Sequence, residues 1–146
     1  MFKHILVPTD GTKLSMKAIK MALQLAKTTG ADITGLYVVA PYYPPVYGEA
    51  IAAVPMLTAA GYKRMVEKES KRVLDAVAAA AKGVPVKTRA VTGGEPWKAI
   101  LGAARSGKCD LIVMASHGRT GLAGLLLGSE TTKVLTHSKI PVLVCR

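Results

Sequence analysis

Between Ala115 and Thr131 the chain gathers small, glycine and hydroxyl residues directly behind an apolar run, Leu111-Ile112-Val113-Met114. Gly118 offers backbone without a Cβ, and after nine intervening residues Gly128-Ser129 opens a stretch with helical spacing. This pattern can bind an anion. N–H groups freed by a turn and by a helix N-terminus converge on negative charge, and glycine lets a phosphate come close. Ser129 and Thr131 can add hydroxyl donors, and Arg119 can add charge. The bland alternative is a sharp turn at Gly118 and Gly121 followed by a serine that caps a helix. Glycines alone do not separate the two. Neither GxxxxGK[ST] nor GxGxxG occurs, so the P-loop and the dinucleotide fingerprint are both missing.

Other chemistry is thinly represented. His4, His117 and His137 lie far apart and lack ligand spacing, so no protein-bound metal is expected. No serine or cysteine nucleophile can be matched with a base and an orienting group. Phosphoryl transfer needs a positioned base, and Glu130 reads as readily as a first-turn helix residue favoured by the dipole. The chain is therefore not read as an enzyme; slow phosphate hydrolysis is the most expected of it.

The formal charge of +11 raises nucleic acid as a partner. The basic residues are scattered, however. Lys13, Lys17, Lys20 and Lys27 follow one amphipathic pattern; Lys63, Arg64, Lys68, Lys71 and Arg72 follow another. Few aromatics stand among them to stack bases. A solvated basic face is the preferred reading, and nucleic acid is not expected.

The elements that must position these residues alternate. Ile5-Leu6-Val7 is a buried strand, followed by a helix that Thr12 or Ser15 can cap and that stops near Gly30. Residues 31–39 form a second strand. Four prolines between 40 and 57 exclude a long helix or central strand there, so this is read as a long loop with one helical turn. A helix over 61–82, a strand over 85–91, and a helix over 93–108 with Pro96 in its first turn come next. A strand over 109–115, a short helix over 129–137 and a strand over 141–145 complete the chain. The order predicts an α/β fold, with a five-stranded parallel sheet in order 3-2-1-4-5 and helices on both faces, in the flavodoxin-like winding. The whole of 1–146 is read as one domain. Ligands of such sheets sit beyond the carboxyl ends of the strands where the winding reverses. The loops after strands 1 and 4 would then line one crevice.

The N-terminal apolar run is too short for a signal peptide, and no apolar run is long enough for a membrane span. Cys109 and Cys145 read as small buried hydrophobes in a reducing cytoplasm. The last strand is an apolar edge, which predicts a homodimer paired through it.

"ILVPTDGT", "DLIVMASHGRTGLAGLLLGSETTKVL" and "KIPVLVCR" resemble the universal stress proteins, and the resemblance covers the whole chain. Nucleotide-binding members carry Gly, two residues, Gly, nine residues, then Gly and Ser or Thr. Here Gly118 and Gly128-Ser129 fit that pattern, and the first glycine is replaced by Ala115. The resemblance implies an adenine nucleotide-binding fold of the alpha hydrolase-like type, with ATP as ligand and Mg²⁺ carried on its phosphates. It places Asp10 at the adenine and ribose, Pro8 and Thr9 on the same wall, Val38 at the base and His117 on the wall. Ala115, Gly118, Arg119, Gly128, Ser129, Glu130 and Thr131 fall around the phosphates. A role in stress signalling rather than turnover follows from it. A dimeric scaffold of the same family without nucleotide, and an enzyme acting on adenylated substrates, are the competing readings.

Overall fold

The computed structural model describes residues 1–44, 58–119 and 127–146. The proline-rich connection lies outside the described residues beyond Pro44, as does most of the nine-residue spacer of the glycine motif. The described chain runs β1 (His4–Pro8), α1 (Lys13–Thr29), β2 (Asp32–Val39), α2 (Ala59–Ala80), β3 (Val86–Thr92), α3 (Pro96–Ser106), β4 (Leu111–Ala115), α4 (Ser129–His137), β5 (Val142–Cys145). The five strands are parallel in the order β3-β2-β1-β4-β5.

Strand alternation divides the core in two. Ile5, Val7, Leu111 and Val113 face α1 and α2; Leu6, Leu36, Ile112 and Met114 face α3 and α4. Because both faces are covered, β4 is buried at every position, which is why its sequence reads as an unbroken apolar run.

Local chemistry sets the helix ends. Thr12 is the N-cap of α1, its hydroxyl accepting from the Ser15 amide, and Gly30 closes the helix at φ 72. Ser15 is not the cap; its own hydroxyl lies within 3.0 Å of Thr9 Oγ1. Helix α2 starts two residues before the expected Gly61 because Thr58 caps it through the Gly61 amide. It also stops at Ala80, short of Gly83, whose φ of 77 belongs to the turn beyond. Among the described residues no helix is long and apolar enough to cross a membrane.

Candidate functional site

The winding reverses between β1 and β4, and a cavity of about 430 Å³ opens there at the carboxyl ends of the strands. Its walls come from the β1–α1 loop, the end of β2, the β4–α4 connection and the first turn of α4. All twelve residues expected at the site line it: Pro8, Thr9, Asp10, Val38, Ala115, His117, Gly118, Arg119, Gly128, Ser129, Glu130 and Thr131. The floor was not anticipated. Leu36, Met114, Ile100 and Pro96 supply it, with Ser15 at the side. Leu36 and Met114 fall on the α3 face by strand alternation, and Ile100 on the buried stripe of α3. The period-two pattern carried that signal.

Asp10 organises one wall. Its Oδ1 accepts from the Thr12 amide at 3.0 Å and the Thr12 hydroxyl at 2.7 Å, and its Oδ2 from the Arg119 amide at 2.9 Å. Burial works to raise its pKa. Hydrogen bonds from Thr12, Ser15 and the Arg119 amide outweigh that, and the carboxyl titrates below its ordinary value. Asp10 is thus a fixed anion on this wall, held by its own loop and by the Arg119 amide. The next residue, Gly11, has φ 79, and a Cβ on it would meet Val73 Cγ2 at 2.7 Å. Only glycine carries the loop over α2 at that point.

The glycine motif is partly spent on its own architecture. The Gly128 amide donates to the Ser116 carbonyl at 2.7 Å, and a Cβ at Gly128 would stand 3.1 Å from His117 Cα. The Thr131 hydroxyl donates to the Ala115 carbonyl at 3.0 Å, and Ser116 Oγ lies 3.1 Å from His117 Nδ1. Gly118 has no positive φ. Its role is spatial, because a Cβ there would meet Asp10 Oδ2 at 2.7 Å.

Two charged residues expected around the phosphates are committed elsewhere. The Arg119 guanidinium donates to the Asp10 carbonyl through Nε at 3.0 Å and Nη2 at 2.7 Å, and Nη2 also reaches Glu69 Oε1 at 2.7 Å. It is pinned to the rim and to α2 rather than free over the cavity. Glu130 Oε2 accepts from the Trp97 amide at 2.8 Å. That carboxylate from α4 caps the start of α3, where Glu95 makes no side-chain cap.

Among the described residues, donors without acceptors remain at α4. Gly128 is its N-cap without a side-chain cap bond. The first amides of a helix have no partner within it. No described residue accepts from the amides of Ser129 and Glu130 or from the Ser129 hydroxyl. Helices α1 and α2, by contrast, are closed by threonine caps. The cavity therefore has a positive dipole end at one side and the Asp10 carboxylate at the other. Among the described residues no group of three or more His, Cys, Asp or Glu is placed to hold a metal ion.

These features define a doubly wound α/β protein with its crevice at the switch point. The family model described as the universal stress protein family matches residues 1–146. Universal stress protein MJ0531 of Methanocaldococcus jannaschii is 34% identical over 149 residues, covering 100% of this chain and 83% of the relative. The solved structure of MJ0577 from the same organism is 28% identical at a TM-score of 0.79, covering 99% of this chain and 96% of that one. A universal stress protein solved in complex with cAMP is 29% identical at a TM-score of 0.72, covering 99% and 97%. The chain belongs to the universal stress protein family.

Proposed function

We propose that the crevice binds an adenine nucleotide, ATP in the first place, and that the protein acts in stress signalling rather than in turnover. The observation that carries this reading is the uncapped first turn of α4 facing the same cavity as the Asp10 carboxylate. A nucleotide is a ligand with an anion at one end and hydrogen-bond donors, the adenine amino group and ribose hydroxyls, at the other. The phosphates lie against the amides of Ser129 and Glu130, beside Gly118 and Gly128, where a helix N-terminus favours negative charge. Adenosine lies against Asp10, Pro8, Thr9 and Val38, over the apolar floor of Leu36, Ile100 and Met114. The cavity volume is in the range of small-molecule sites, roughly 300–1,000 Å³. A solved relative bound to cAMP supports the adenine class. Any Mg²⁺ rides on the phosphates. Among the described residues no positioned base faces the phosphate end, and on that reading hydrolysis is slow or absent.

Isothermal calorimetry tests the reading. ATP gives saturable heat and raises the stability of the fold, by about 2.7 kcal/mol at a hundredfold excess over Kd. Absence of both at millimolar ATP ends it.

One observation favours the scaffold reading. Ala115 puts a methyl group on the cavity wall, and the amides of Arg119 and Gly128 are already committed. In either reading we propose a homodimer joined through β5, an apolar strand at the sheet edge.

A further inference from the structure

A second cavity, of about 700 Å³, lies on the opposite face of the sheet, between the end of β2 and the first half of α2. It shares Asp10, Val38 and Arg119 with the first. Strand alternation explains the arrangement. Val38 packs toward α3, whereas Tyr37 and Val39 turn toward α2. The two cavities meet over the rim of the sheet, and Arg119 sits on that rim, held by the Asp10 carbonyl and Glu69.

The lining of the second cavity has its own chemistry. Tyr37, Tyr62 and Met65 offer faces to a planar ring. The Tyr62 ring is held in place, 5.5 Å from that of Tyr42, with its hydroxyl donating to the Ala40 carbonyl at 2.7 Å. Lys68 lies in the wall with no described carboxylate within ion-pair distance, whereas Arg72 is paired with Glu69. The wall thus combines stacking surface with an uncommitted cation.

The geometry points to a second subsite that takes a planar ring carried on a phosphate attached through a ribose hydroxyl oxygen, so that the full ligand class is an adenine dinucleotide extended from its ribose. This rests on the reading above, which sets the ribose beside Asp10 and Val38. A group leaving the ribose there crosses the rim, and its bridging phosphate passes Arg119. The second ring enters the Tyr37–Tyr62 cavity. A group leaving from the 5′-phosphate end departs at α4 and does not reach it. Stacking on aromatic side chains is tolerant of base identity, so the second subsite accepts more than one base.

The test compares three probes by calorimetry: ATP, AMP, and 5′-phosphorylated adenylyl-(3′→5′)-adenosine, which is AMP extended through its 3′-oxygen. The dinucleotide binds about tenfold more tightly than AMP, the gain expected of one stacked base. Tyr62→Ala and Lys68→Ala each reduce that gain and leave the affinities for AMP and ATP unchanged, which also shows that the variants are folded. A dinucleotide that binds no more tightly than AMP, or whose advantage survives both substitutions, overturns the second subsite while ATP binding stands. If ATP gives no heat either, the nucleotide reading falls with it.

Discussion

A β-carbon on Gly118 would stand 2.7 Å from Oδ2 of Asp10, two residues 108 apart in the chain. That oxygen is held by the Arg119 amide, so it has little freedom to retreat. The glycine and the carboxylate therefore form one unit. Gly118→Ala displaces the carboxylate and breaks its bond to Arg119. Overpacking of this kind costs roughly 1–3 kcal/mol of stability. Loss of a hydrogen bond to a charged group should weaken ATP binding by about tenfold. Thermal unfolding and calorimetry read the two effects separately. An unchanged ATP affinity would remove Asp10 from the binding surface.

This unit marks the boundary of what the sequence makes legible. The sheet order follows from apolar runs alternating with amphipathic ones, and the Thr12 cap and the Gly30 stop are local signals. The gathering of Asp10, Ala115, Gly118 and Ser129 in one crevice follows from that topology alone. The partners of particular side chains do not. Arg119 meets Glu69, and Glu130 meets Trp97, across sequence separations of 50 and 33. No periodicity encodes which helix terminus a given carboxylate will reach. The apolar floor lies between these extremes: the alternation of β2 and β4 carries it, but polar motifs draw the eye first.

Glu69 gives a pH dependence with a definite sign. The hydrogen bonds of Arg72 and then Arg119 hold its carboxyl down from 4.5 to about 2. The folded value lies below the unfolded one, so the stabilisation is present above pH 4.5 and is lost as pH falls toward 2. Asp10 shifts in the same direction. Glu69→Gln removes the titrating group. The stability difference between wild type and variant should therefore be larger at about pH 6 than at about pH 3 by urea midpoints. Added salt should shrink it, because the pair is largely solvent-exposed. A difference that grows on acidification contradicts the assignment.

Glu130 should behave as a brace rather than a phosphate ligand. Its carboxylate caps α3 through the Trp97 amide. Glu130→Ala should cost about 1 kcal/mol, the usual loss for a helix cap. It also removes a negative charge from the cavity wall, so ATP affinity should rise. A fall in affinity without a fall in stability would place Glu130 on the ligand instead.

Ala115 tests the departure from the glycine motif. Its carbonyl is held by the Thr131 hydroxyl, so Ala115→Gly leaves the wall in place and removes only the methyl. Glycine within a strand costs roughly 0.5–1 kcal/mol. One methyl in a pocket counts about 1 kcal/mol, so ATP binding should tighten roughly fivefold. If binding weakens, the methyl packs against the ligand and the departure is not the cause of any weakness.

The proposed dimer has a test whose position the ladder dictates. The Ile112 amide donates to the Pro141 carbonyl at 3.0 Å, and the Ser116 amide to the Cys145 carbonyl at 2.7 Å. Backbone groups alternate along a strand, so Leu143 also faces β4, while the N–H groups of Val142 and Val144 face the open edge. A proline at Leu143, in the middle of the strand, would break the protomer's own sheet and test stability instead of association. Val144→Pro removes an edge donor and leaves the β4 ladder intact, and the residue before a proline is extended in any case. The two edges of the sheet also differ. β3 carries exposed Lys87 and Arg89, charges that blunt an edge. β5 reads VLVC, with Leu143 40% exposed and no charge within it. Two-fold pairing of β5 with its copy would satisfy the open donors and cover Leu143. The wild type should therefore sediment as a dimer at micromolar concentration, and Val144→Pro as a monomer with near-native helical signal. Leu143→Pro should lose stability whatever its association state. A monomeric wild type, or a Val144→Pro variant that remains dimeric, rules out the β5 interface.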